Sequence, residues 1–87
     1  MQVHILLSTA HSDNRTQVEE VYSDFKEAQK DMRERFESSK KFWEMQGTSD
    51  YRQVRIECFN SCAEAYVVDE DYEETGMSWI IETVTVK

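Results

Sequence analysis

Five carboxylates crowd into one stretch of this chain, DEDYEE: Asp69, Glu70, Asp71, Glu73 and Glu74. Carboxylates this dense can hold a hard cation or face a basic surface. The cation reading fails on spacing. An EF-hand loop needs a glycine at its sixth position and a closing glutamate at its twelfth, and this run does not match. No metal and no cofactor are expected. The five residues are instead the expected partner-binding surface, to be weighed against a plain solvated loop.

Other residue types capable of chemistry are thinly spread. Cys58 and Cys62 form a C-x-x-x-C pair, with His4 and His11 far away in sequence. Structural zinc sites use a tighter cysteine pair and a second matched pair. Cys58 therefore reads as a buried thiol and Cys62 as a thiol beside a turn. No serine sits in a nucleophile elbow, and the only two glycines, Gly47 and Gly76, make no phosphate loop. His4 reads as a packed or surface strand residue, and Trp43 and Trp79 as core. The chain is expected not to be an enzyme.

The formal net charge of −8 disfavours direct contact with nucleic acid or an anionic membrane, because such binders carry a basic patch. It suits a protein partner with a basic surface. Residues 24–46 hold six bases and six acids, so the excess lies outside them, on twelve acids against four bases. A field concentrated in this way attracts a positively charged groove and speeds encounter with it.

These side chains need a frame, and 87 residues allow one domain, 1–87, with one modest core. The most patterned segment is Ser23 to Gly47. Phe25, Ala28, Met32, Phe36, Ser39 and Trp43 fall on one helical stripe, flanked by Phe42. The pairs Asp31–Arg35 and Glu37–Lys41 are expected on the opposite face. Ser23 reads as the N-cap and Gly47 as the C-cap, and the last turn is expected to overhang the sheet.

Around this helix, 2–9 and 51–59 alternate as strands. Residues 64–68 form another, and 69–76 a polar connection. Residues 77–86 make the strongest strand, expected at the centre of the sheet. Residues 15–22 fit either a second strand, paired as a hairpin with the first, or an extension of the helix back to Asn14. The acid in the first turn after Ser23 favours the hairpin. The expected fold is α+β: an antiparallel sheet of four to five strands with one long helix packed across one face.

Three pieces of the chain carry a resemblance. VHILLST, VYSDFKEAQKDMRERFE and the closing WIIETVTV resemble small proteins encoded by bacteriophages and mobile elements. In these, a strand ends in an aromatic-Ser step before an EA-containing helix start, and the chain closes on a Trp-Ile-Glu strand. In size and acidity the chain is similar to anti-CRISPR proteins. The resemblance implies a non-enzymatic inhibitor of a host nucleic-acid-dependent defence enzyme, acting through an acidic surface in the bacterial cytoplasm. It transfers no functional residues. The competing expectations are a structural protein that dimerises through a strand edge or the helix end near Phe42 and Trp43, and a small metal-binding protein. The absence of an 18-residue apolar run argues against a membrane span.

Overall fold

A computed structural model describes residues 1–87. The strands are β1 (Gln2–Ala10), β2 (Arg15–Tyr22), β3 (Gln53–Cys58), β4 (Cys62–Val68) and β5 (Glu74–Thr85), and the helix is α1 (Phe25–Gln46). All strands pair antiparallel in the order β2-β1-β5-β4-β3. The expected α+β fold is therefore present, with five strands, and β5 lies at its centre. The hairpin reading of 15–22 also holds.

Local chemistry explains the boundaries. Asp24, not Ser23, caps the helix. Its backbone is extended and its side chain accepts from the amide of Lys26, the second helical residue and an ordinary N-cap target. Gly47 ends the helix at φ 79°, with its N–H donating to the Trp43 carbonyl. β5 starts at Glu74 rather than after Gly76, so the preceding connection shrinks to 69–73. Gly76 sits inside the strand at φ 138°, where a Cβ would lie 2.3 Å from the Ala65 carbonyl oxygen. β4 starts two residues earlier than expected, at Cys62.

The core lies between α1 and one face of the sheet. Ala28, Met32, Phe36 and Trp43 pack on Leu6, Ala63, Ala65, Val67, Trp79 and Ile81. β1 alternates in an unusual sense. Its helix-facing row is His4, Leu6 and Ser8, all buried, while the more apolar row, Val3, Ile5 and Leu7, lies on the other face. The two buried polar side chains are satisfied: His4 Nδ1 bonds Thr83 Oγ1 at 2.8 Å, and Ser8 donates to Glu19 at 2.7 Å.

Two expectations about surfaces are corrected. Asp31 and Arg35 do not decorate the outer face of α1. Arg35 turns to the β2 flank and bridges Asp31 and Glu19. Glu37 and Lys41 form no ion pair. Cys58 is exposed, because it ends the edge strand β3.

Candidate functional site

The chain direction of each element decides where the connections meet. β1 and β4 run toward the same end of the sheet as α1, and β2, β3 and β5 start there. Three connections therefore gather at that end: 11–14 between β1 and β2, 47–52 between α1 and β3, and 69–73 between β4 and β5. With the flanking Arg15 and Glu74, they hold Asp13, Asp50, Asp69, Glu70, Asp71, Glu73 and Glu74 against Arg15 and Arg52. Seven acids against two arginines concentrate a net −5 of the chain's −8 at one end. The C-terminus of α1 points the same way, with no base in its last turn. Its exposed carbonyls add partial negative charge.

The expected acidic run divides into roles. Asp69 builds the loop. Its carboxylate accepts from the amides of Asp71 (2.9 Å) and Glu73 (3.0 Å), and Tyr72 is left at φ 63°. This closed Asx-type turn throws Glu70, Asp71 and Glu73 into solvent, free of ion pairs. Arg52 lies 4.3 Å above the Tyr72 ring and fastens the loop to the 47–52 connection.

Glu74 points elsewhere. On the face of the sheet away from α1, its carboxylate lies 2.6 Å from His11 Nδ1. His11 Nε2 lies 2.6 Å from Ser78 Oγ, and the ring stacks on Tyr66 at 4.0 Å. Burial, with Glu64 and Glu74 nearby, pushes the Tyr66 phenol up. The connectivity is that of a carboxylate–imidazole–hydroxyl relay, which no sequence spacing could reveal because the residues are up to 67 apart. Ser78, however, stands mid-strand in the central strand, paired on both sides to Thr9 and Glu64. Its neighbouring amides serve the ladder rather than an oxyanion, and no cavity opens on it. The relay locks the 11–14 turn onto β5.

Beside the acidic end, a cleft of about 390 Å³ opens between α1 and the sheet. It exists because the inward stripe of α1 carries Ser39 between Phe36 and Trp43, opposite Ala10, Ala65 and Gly76. Small residues on both walls leave the space unfilled. Phe42 and Trp43 wall it, and Ser12 and Thr75 lie at its rim. Phe42 is half exposed and Met45 almost wholly so, while Trp43 between them is buried against the core.

A second polar cluster is structural. A bulge between the pairs Leu6↔Glu20 and Leu7↔Val18 leaves Glu19 unpaired in the ladder. Glu19 turns under α1, where bonds from Ser8 and Gln17 and the Arg35 cation hold its carboxyl below the usual range. Burial pushes Asp31 up, but bonds from Tyr22 and Arg35 prevail and leave it low. The bond to Asp31 and burial raise the Tyr22 phenol to about 12.

No three His, Cys, Asp or Glu side chains converge as a metal site. No helix is long and apolar enough to cross a membrane. The chain matches no protein-family model, no curated protein and no solved structure.

Proposed function

We propose that this chain is a non-enzymatic binding protein whose acidic end docks into a basic groove of a nucleic-acid-handling protein and so competes with nucleic acid there. The observation that carries the reading is the convergence of three connections, far apart in sequence, into one acidic end. Glu70, Asp71 and Glu73 stand there without partners, and the negative end of α1 adds to their field. Such a field is suited to steering a cationic surface. The adjoining cleft between Phe42, Trp43 and Ser39 offers room for an apolar side chain flanked by bases. Charge then governs the rate of encounter and the cleft the lifetime. The phage and anti-defence setting implied by the resemblance is consistent with a competitor of this kind, with a bacterial defence enzyme as the target.

The test is capture from a bacterial lysate on immobilised native chain and on the Glu70→Lys, Asp71→Lys, Glu73→Lys variant. Asp69 is spared because it holds the turn. The reading expects a nucleic-acid-binding protein retained by the native chain, released by a short DNA or RNA competitor, and absent from the variant. Retention by the variant, or indifference to nucleic acid, would refute it.

A further inference from the structure

The sheet has two edges, β2 and β3, and they are not alike. β2 is blunted by the bulge at Glu19. β3 pairs with β4 without interruption from Gln53 to Cys58. It carries no proline, no lysine and no bulge, the features that commonly stop an edge from pairing with another chain. Every residue of β3 except Ile56 is exposed.

The ladder fixes which backbone groups of β3 are free. The Ile81 amide donates to the Ser61 carbonyl at 2.8 Å. Odd-numbered positions along β4 therefore turn their backbone groups to β5, and even-numbered ones turn theirs to β3. The Phe59 amide, donating to the Cys62 carbonyl at 2.8 Å, has the same phase. Within β3 it is thus Gln53, Arg55 and Glu57 that bond β4. Val54, Ile56 and Cys58 direct their N–H and C=O groups at the open edge.

The side chains divide by the same parity. Val54, Ile56 and Cys58 lie opposite Val67, Ala65 and Ala63, on the helix side of the sheet, and Arg55 and Glu57 stand on the other side. Glu57 is directly opposite Glu64 in its own ladder, a like-charge pair that disfavours the sheet. Its one ion pair, to Arg55 in the same strand, is stretched to 4.0 Å.

We infer that β3 is the contact of a homodimer, in which the β3 strands of two copies pair antiparallel about a two-fold axis perpendicular to the sheet at Ile56. This axis sets Ile56 opposite the partner's Ile56 and Val54 opposite the partner's Cys58. These are the residues with free backbone groups, so each pair exchanges two N–H···O bonds. Between them Arg55 comes opposite the partner's Glu57, and the reverse, in the non-hydrogen-bonded positions where side chains approach most closely. Glu57 thereby gains the cation that its own sheet does not supply. Opposite side chains share a face only when the axis passes through a residue. Moving it one residue, to Arg55 or to Glu57, would set like charges against each other. The pattern therefore selects one register. It also selects a second copy as the occupant, because the same six residues supply both complementary halves.

The axis joins the two sheets into one continuous sheet with both helices on the same face. β3 starts at the acidic end and its partner strand runs the other way, so the two acidic ends point in opposite directions. The contact is confined to a six-residue edge, and a contact of that size is weak and reversible. The inference is independent of the proposed function.

Sedimentation equilibrium over about 10 μM to 1 mM, the range suited to small interfaces, tests it. Native chain should rise from the 10.3 kDa chain mass toward twice that value. Glu57→Arg sets two cations together across the axis and should weaken association at least about tenfold. The same change makes the chain less negative, so general repulsion alone would strengthen association instead. It also places a cation opposite Glu64 within the sheet, so the fold is retained. The Arg55→Glu, Glu57→Arg double variant restores opposite charges in the same register at the native net charge, and should associate within about threefold of native chain. Hydrogen exchange should slow with concentration at the Val54, Ile56 and Cys58 amides and stay unchanged at Arg55 and Glu57. Native chain that stays at the single-chain mass, a Glu57→Arg chain that associates like native, a double variant that stays monomeric, or slowed exchange at other amides instead would overturn the assignment.

Discussion

Replacing Arg35 with Met keeps the aliphatic stem and removes the cation that bridges Glu19 and Asp31. The two carboxylates are 15% and 20% exposed, and Arg35 is 37% exposed. Hydrogen bonds to charged groups contribute about 1.5–3 kcal/mol each, and breaking a fully buried pair costs about 3–5 kcal/mol. Partial exposure of Arg35 discounts both figures, and the remaining bonds from Ser8, Gln17 and Tyr22 soften the loss. The expected cost is roughly 2 kcal/mol near neutral pH, a measurable share of a total on the order of 5–10 kcal/mol.

The pH dependence supplies an internal control. Both carboxyls are held below their ordinary values in the folded state. Their contribution is complete above the unfolded values near about pH 4 and is lost as pH falls through the folded ones. Without Arg35 the depression shrinks. The stability gap between native chain and variant should therefore be widest at neutral pH and should close in acid. Urea unfolding followed by the fluorescence of Trp43 and Trp79 measures it, with an unchanged slope showing that the same transition is compared. A loss below about 0.5 kcal/mol at neutral pH, or a gap of the same size in acid, would refute the bridging role of Arg35.

Two further outcomes follow from the loop and the strand glycine. Asp69→Ala removes the acceptor for the Asp71 and Glu73 amides and should cost about 1–2 kcal/mol, with faster hydrogen exchange at those two amides and little change elsewhere. Gly76→Ala drives a Cβ against the Ala65 carbonyl in a backbone region closed to other residues. It should lower the melting temperature by at least as much as the Arg35 variant.

The regular parts of the fold were legible because their periods are strong. The stripe from Phe25 to Trp43 marks the helix, and the β-branched run of 77–86 marks the central strand. The signal failed where a residue's role depends on a distant partner. Asp31 and Arg35 satisfy the spacing of a surface pair, yet a bulge in β2 brings Glu19 to them and draws the pair inward. Cys58 shares parity with Val54 and Ile56, but its place at the end of an edge strand exposes it. Glu74 belongs to the acidic run in sequence, but the start of β5 hands it to His11. The acidic end was half legible. The run 69–74 is plain to read, whereas Asp13 and Asp50 join it only because strand direction returns three connections to one place.

The association rate of the captured partner, measured by stopped flow as ionic strength is raised, tests the acidic end most directly. The account predicts a rate that falls steeply with salt, and a Glu70→Lys, Asp71→Lys, Glu73→Lys variant at least about tenfold slower at low salt. Equal rates for the two chains, or a native rate indifferent to salt, would contradict it.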